Sequence, residues 1–286
     1  MRGLAEFIMR GRWQALAVAV LGSVLVFAAP ISAAAIALVT MAQGTRDGSW
    51  VALWSLLPAL LLGWVSGDYG TGFLLLSVFV GAMVLAQTLS LSLALLAIVP
   101  VSAIGGVLLL TLNSAFLEAM LSMLDTWIAA LQAESPESGE SLNAFRPTVT
   151  QVAGLMATGN ALMASLSLLL GRYWQAALFK PGAFGEEFRA FKLPSVLTAL
   201  LVLAAMLGAL NGSEAAAWSA LAGIPVTLAG FALFHHIARR QQLGGTFLTV
   251  GYVLWIIVDG LKVGVLLAVL LDAFLDLGRR AKSKRV

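Results

Sequence analysis

The stretch Gly171–Pro194, GRYWQAALFKPGAFGEEFRAFKLP, separates two long apolar blocks of the chain. Its charged residues are Arg172, Lys180, Glu186, Glu187, Arg189 and Lys192. Its aromatic residues are Tyr173, Trp174, Phe179, Phe184, Phe188 and Phe191. Aromatic rings with one wet edge settle at headgroup depth in a bilayer, and an excess of Lys and Arg in a short loop is typical of the cytoplasmic side. The stretch therefore predicts a cytoplasmic interfacial segment over residues 171–194.

The local pattern divides this segment in two. Lys180-Pro181-Gly182 ends a helix, because proline disfavours helical geometry in the residue before it and glycine turns freely. Beyond it, Phe184, Phe188 and Phe191 fall at i, i+4 and i+7. They share one face of a short helix, which we expect to lie on the inner leaflet. The alternative is a disordered cytoplasmic loop that holds the same aromatic residues.

Composition places the whole chain in a membrane. Hydrophobic residues make up 60% of it and charged residues 11%, with a mean hydropathy of +0.95. Average globular chains carry about a quarter charged residues. The net charge of +3 indicates orientation and affinity for anionic lipid rather than nucleic-acid binding. The absence of cysteine excludes disulfides, thiolate metal sites and cysteine nucleophiles.

The N-terminal apolar region predicts a hairpin. Residues 12–43 as one helix would measure about 46 Å, well over the roughly 30 Å hydrocarbon core of a bilayer. A break at Pro30 gives two short helices that return Arg46 and Asp47 to the cytoplasm. A basic start, an apolar run and the small residues Ser32–Ala35 also resemble a cleavable signal peptide, so that alternative stays open.

The remaining apolar regions predict an all-α polytopic transmembrane bundle in one domain, residues 1–286. Residues 71–113 are long enough for two crossings, which divide near Gln87–Ser92. The last apolar region ends in a basic tail and must break at Asp259–Lys262 if that tail is cytoplasmic. About ten membrane segments result, with both termini inside, or eight or nine if a terminal hairpin counts as one helix. The other predicted spans are 50–66, 148–170, 193–210 and 215–237.

Residues 115–132 form the chain's clearest amphipathic pattern. Apolar residues recur at intervals of three and four, while Glu118, Ser122 and Asp125 take the other face. The acidic face is poorly suited to an anionic inner leaflet. We therefore expect an amphipathic helix on the outer side, followed by an acidic flexible loop over residues 133–147.

Ionisable residues within or beside the last apolar region are functional candidates, because charge at membrane depth is costly. They are Asp259, Lys262, Asp272, Asp276 and Arg279. An intramembrane aspartyl protease would use two such carboxylates, but the predicted break puts Asp259 across the bilayer from Asp272. A structural ion network that caps the last helix is the favoured interpretation, with Asp272 facing the bundle and holding a partner.

Other signatures are weak. Adjacent His235 and His236 point in different directions on a helix, which favours an interfacial role over a shared metal ion. The common hydrolase, protease and nucleotide motifs are absent from the sequence. We expect no catalytic residue, cofactor or metal site, and hence no enzymatic activity. Ala15-x-x-x-Ala19 and the run Ala33–Ala37 allow helices to approach closely in lipid.

Three stretches carry a resemblance: the segment 171–194, Ala229–His236 (AGFALFHH) and Leu270–Arg280 (LLDAFLDLGRR). In their order the chain resembles the YybS-like family of bacterial integral membrane proteins, whose function is not characterised. That family is distantly similar to the substrate-binding subunits of energy-coupling-factor transporters, which bind vitamins or metals and pair with a coupling protein and ATPases. There, an Ala-x-x-x-Ala pattern in the first helix meets the coupling protein, and Ala15 and Ala19 match it. The chain departs from those subunits in having more than the usual six segments and no clear ligand cluster.

Together these observations predict a non-enzymatic multi-pass protein of a bacterial inner membrane. Its first hypothetical role is a solute-binding transport subunit that depends on membrane or ATPase partner subunits. Its second is a scaffold or assembly factor that docks a soluble partner through residues 171–194. The lipid bilayer is its environment in either case, and no nucleic-acid partner is expected.

Overall fold

The protein is an all-α bundle. The computed structural model describes residues 2–134 and 146–276, which hold thirteen α-helices and no strand. The helices are α1 (Arg2–Met9), α2 (Arg12–Val24), α3 (Ala29–Gln43), α4 (Thr45–Ser66), α5 (Gly70–Thr88), α6 (Leu91–Leu112), α7 (Ser114–Glu134), α8 (Val149–Phe179), α9 (Ala183–Ala190), α10 (Ser195–Leu210), α11 (Ser213–Arg240), α12 (Gly245–Ile257) and α13 (Asp259–Leu275).

Several of these helices can cross a membrane. Seven are long and apolar enough by length and composition, or up to nine spans if each of two bent pairs counts as one. The bent pairs are α9 with α10, at 72°, and α12 with α13, at 114°. The chain is therefore a multi-pass membrane protein, as its composition predicts.

Helix α3 lies at the centre of the bundle. It packs against α2, α4, α5 and α8, and every residue from Ser32 to Thr40 is buried. Small side chains make this possible, since they let neighbouring backbones come close in an environment without a hydrophobic driving force. One close approach is at Gly171 of α8, where an added Cβ would lie 2.8 Å from the Ala34 carbonyl oxygen. The run Ala33–Ala37 is thus the inner packing surface of the molecule.

The N-terminal hairpin is present, but its predicted break is misplaced. Helix α2 ends at Val24, a 3-10 turn covers Val26–Ala28, and Pro30 stands in the first turn of α3. Proline is tolerated there because the first amide groups of a helix have no intrahelical acceptor. The hairpin closes where the Ser32 hydroxyl donates to the Ala19 carbonyl oxygen.

Polar contacts define two ends of the bundle. At one end, the Arg12 end, Arg12 Nε donates to Asp47 Oδ1 at 2.8 Å, so the hairpin returns to its starting side. At the opposite end of α4, the Gly67 end, Asn113 Nδ2 donates to the Gly67 carbonyl oxygen at 2.6 Å. The α5–α6 turn falls at Leu89–Ser90, within the predicted division. Helices α4, α5 and α6 therefore each run from one end to the other.

Helix α7 stays near the Gly67 end, although its length and composition admit a crossing. Arg146 forms an ion pair with Asp125 of α7. Two residues further on, the Thr148 hydroxyl donates to Glu214 at the start of α11, at 2.6 Å. Thr148 also caps α8, so the chain enters α8 at the end where it left α6. The predicted flexible loop falls largely on residues 135–145, which lie outside the described residues.

The C-terminal part of the chain also forms a helical hairpin. Helix α12 ends at Ile257 and α13 begins at Asp259, so the break falls at Val258, beside the predicted one. Helix α13 packs against α10 and α11, and its last turn meets the segment that joins α9 to α10. Both ends of this hairpin therefore lie at the Arg12 end.

Candidate functional site

Lys192 forms two ionic contacts at the Arg12 end. Its ammonium lies 2.8 Å from Asp272 Oδ2 and 2.6 Å from Asp276 Oδ1. Asp272 is only 6% exposed. Burial disfavours the charge on Lys192, but hydrogen bonds and charge attraction from both carboxylates outweigh it and raise the lysine's pKa. The Lys192 carbonyl oxygen also accepts from the Ser92 hydroxyl at 2.5 Å, which joins α6 to the same point.

The predicted cluster of charged residues divides into two separate places. Asp272 and Asp276 meet at Lys192, and Asp272 is buried with a partner, as expected. Asp259 pairs instead with Lys262 at 2.6 Å, at the tip of the C-terminal hairpin. Thirteen residues of helix, about 20 Å, separate it from Asp272. Arg279 lies outside the described residues. Asp259 is therefore too far from Asp272 for the two carboxylates to form a protease dyad.

The aromatic side chains of the segment 171–194 depart from their prediction only in part, because Tyr173 and Phe179 are exposed. Trp174 is only 1% exposed, so it packs inside the bundle rather than keeping one edge in water. The Phe184 ring packs against Tyr173, with centroids 5.8 Å apart, and Phe188 packs against His235 at the same distance. Phe191 is also buried. The phenyl face of α9 therefore turns towards α8 and α11, because those helices already offer an apolar surface there.

The charged residues of this segment hold α9 in place. Arg172 of α8 donates from Nε to Glu187 at 2.8 Å. Arg189 and Glu186 line a cavity of about 330 Å³, together with Lys192, His236 and Asp272. Lys180 is exposed just after α8. This cavity carries charges of both signs and is built around the Lys192–Asp272 pair.

Ala15 and Ala19 are packing residues within the chain. Both are completely buried in α2, which contacts α3 and α4. The expectation that they meet a coupling protein is therefore wrong for this structure, since their surface is covered by the chain's own helices. Their role in close helix packing is as predicted.

The two histidines have different surroundings. His235 Nε2 lies 2.7 Å from the Tyr252 hydroxyl of α12, within a cluster of aromatic rings. His236 instead lines the charged cavity at the Arg12 end. The described residues contain no group of three or more His, Asp or Glu placed to hold a metal ion.

Three polar side chains meet between α5, α6 and α8. Asn160 Oδ1 accepts from the Ser77 hydroxyl at 3.3 Å and from the Ser102 hydroxyl at 3.2 Å. Asn160 Nδ2 donates to the Gly70 carbonyl oxygen at 3.0 Å. Ser77 and Ser102 are fully buried, whereas Asn160 is half-buried. We call this group the Asn160 cluster. Interhelical hydrogen bonds of this kind hold membrane helices together.

Two neighbouring cavities lie between the Gly67 end and this cluster. The larger, about 460 Å³, is lined by Trp64, Tyr69, Phe73 and Leu109 among others. Tyr69, Phe73 and Leu109 also line a recess of about 30 Å³ that reaches Ser102 and Asn160. We call the two together the Gly67-end cavity. Space of this size with a few polar groups at its base is typical of small-molecule sites.

Sequence reasoning missed the Asn160 cluster. Asn160 stands near the middle of the predicted span 148–170, where a polar amide is a visible signal. Ser77 and Ser102 give no such signal, because serine in a membrane helix commonly bonds to its own backbone. Only the packing of α5 against α6 and α8 brings the three side chains together.

Comparisons with known proteins add no relationship. No family model matches the chain, and neither the curated proteins nor the solved structures contain a match. The resemblance to the YybS-like family stays a prediction.

Proposed function

We propose that this protein is the solute-binding membrane subunit of a transporter, non-enzymatic, with energy supplied by partner proteins. The single observation that carries the proposal is the Gly67-end cavity, which lies between one end of the bundle and polar side chains in its interior. By helical rise, Ser77 lies about 10 Å from that end, and Asn160 contacts both Ser77 and Gly70. Pockets between the helices of a bundle are common sites of small-molecule binding.

The distribution of charge supports an orientation. The Gly67 end carries mostly acidic residues, and the Arg12 end carries most of the described Lys and Arg. The basic residues at the Arg12 end are Arg10, Arg12, Arg46, Arg172, Lys180, Arg189, Lys192, Arg239 and Arg240. By the positive-inside rule this end is cytoplasmic, in a bacterial inner membrane, and the cavity opens outward.

The scaffold hypothesis has less support. It needs the segment 171–194 to present a surface to a soluble partner. The phenyl face of α9 packs on the bundle, and Glu187 is engaged with Arg172. Purification from native membranes separates the two roles: co-purifying ATPases favour transport, and a recurrent soluble partner without ATPases favours the scaffold.

Small molecules that co-purify with the protein test the binding role. The full chain is extracted with its lipids, and small molecules released on denaturation are identified by mass spectrometry. Leu112→Trp narrows the cavity mouth, whereas Leu210→Trp is its control. Both leucines end a helix at the Gly67 end and are 79% and 81% exposed. We expect a molecule that is retained in the control and depleted in Leu112→Trp. Failure to detect such a molecule would overturn the binding role.

A further inference from the structure

The chemistry of the Gly67-end cavity restricts what it can hold. None of the residues that line it in the described part of the chain is Asp, Glu, Lys, Arg or His. A charged ligand would therefore lose its hydration without gaining a residue of opposite charge, inside a membrane bundle where an uncompensated charge is costly. The cavity selects against ions.

Three aromatic side chains line the cavity. Trp64, Tyr69 and Phe73 contribute rings, and Leu109 contributes aliphatic surface. Gly63 lets the Tyr69 ring lie close against α4, since a Cβ there would be 2.6 Å from a ring atom. Offset and edge-to-face contacts between rings favour a planar guest. The wall therefore suits a flat, largely apolar molecule.

The base of the cavity offers hydrogen-bond donors. Asn160 Oδ1 is engaged by the Ser77 and Ser102 hydroxyls, which also lie 3.3 Å from each other. Its Nδ2 carries two hydrogens, and one donates to Gly70. The other is left for a ligand, because Asn160 is half-buried and lines the recess. The Tyr69 hydroxyl also makes no hydrogen bond with the described residues. A ligand acceptor such as a carbonyl oxygen fits this base.

We infer that the Gly67-end cavity binds an uncharged, planar, mainly apolar molecule whose hydrogen-bond acceptor is held by Asn160. This inference rests on the proposed function and names the chemical class of its solute. It differs from the resemblance, which implies vitamins or metals in general. Asn160 is the specificity-determining residue, and the aromatic wall supplies most of the contact area.

Three probes of nearly equal shape test the charge preference. Benzamide is neutral, benzoate carries a negative charge and benzamidinium a positive one. Calorimetric titration uses the full chain in lipid nanodiscs, with heats from empty nanodiscs subtracted. We expect saturable benzamide binding at least about tenfold tighter than that of either ion, because a site built for one polar group rejects a mismatched one. Equal binding of an ion, or no saturable binding of benzamide, overturns the inference.

Variants locate the binding. Asn160→Asp places an acceptor and negative charge at the base, so the preference should shift from benzamide to benzamidinium. Ser102→Ala should weaken benzamide binding, whereas Ser55→Ala, equally buried but bonded within α4, should leave it unchanged. An unchanged preference in folded Asn160→Asp contradicts the assignment; if that variant does not fold, equal binding by Ser102→Ala and Ser55→Ala does so.

Failure of this inference and failure of the proposed function give different results. A charged molecule recovered from the native protein and lost in Leu112→Trp would leave solute binding intact and show that the assigned ligand class is wrong. A neutral, planar molecule recovered in the same way supports both.

Discussion

Lys192 joins parts of the chain that are far apart in sequence. Its partner Asp276 is 84 residues away. The apolar surroundings of Asp272 predict that this carboxylate is buried and partnered, since an isolated charge there is costly. The identity of the partner is not readable, because Lys192 looks like any basic loop residue until α13 folds back. The sequence therefore predicts that Asp272 has a partner, whereas the identity of that partner depends on the tertiary structure.

A lysine pair tests the role of this contact. Lys192→Met should lower folded stability by about 1–3 kcal/mol, a figure reduced from fully buried pairs because the Lys192 side chain is 39% exposed. Lys180→Met removes an exposed charge from the same segment and should change little. Thermal unfolding in detergent, followed by loss of the monodisperse peak, measures both. Equal stability of the two variants would show that the Lys192 contacts are not stabilising.

Asp272 itself separates a structural role from proton or cation transfer. Asp272→Asn keeps the shape and an acceptor for Lys192, so protein level and function should stay near those of the unmodified chain. Asp272→Leu removes the buried carboxylate that pairs with Lys192 and should lower the yield of folded protein. Yield is read from size-exclusion profiles. A well-folded but inactive Asp272→Asn protein would instead assign this carboxylate a functional charge.

Helices were easier to predict than their arrangement. Apolar length and turn residues placed the ends of α5, α6, α8 and α13 within a few residues. The break of the N-terminal hairpin was misplaced, because proline fits the first turn of a helix as well as a break. The alanine run indicated close packing. Its central position follows from the combined contacts of α2, α4, α5 and α8, which no single stretch of sequence contains.

Two glycines on α8 test the close packing around α3. Gly171→Ala places a Cβ 2.8 Å from both the Ala34 carbonyl oxygen and the Ala37 Cβ, and backbone atoms cannot easily move away. We expect a loss of about 1–3 kcal/mol. Gly159 has open space around its Cβ position, so Gly159→Ala should be neutral or stabilise the helix by up to about 1 kcal/mol. Thermal unfolding of both variants gives the comparison, and a harmless Gly171→Ala would contradict the central packing of α3.

At the scale of the whole molecule, sequence and contacts give the same two ends. The basic residues predicted to be cytoplasmic gather at the Arg12 end, and Asp68, Asp125 and Glu214 lie at or near the Gly67 end. Charge segregation of this kind is what sets the orientation of membrane proteins. The Asn160 cluster and its cavity lie between the ends and were not predictable, because they arise only when three helices pack together.

Cysteine labelling tests the orientation, and the native chain has no cysteine to interfere. Asn211 and Gln241 flank α11 and are both exposed, so they form a matched pair at opposite ends of one helix. If the Arg12 end is cytoplasmic, Asn211→Cys should react with an impermeant thiol reagent in intact cells. Gln241→Cys and Ala183→Cys should react only after the membrane is opened. Ser138→Cys, in the acidic segment, should label like Asn211→Cys. The reversed pattern would keep the bundle but invert its orientation, whereas identical labelling of Asn211→Cys and Gln241→Cys would mean that α11 does not cross the membrane.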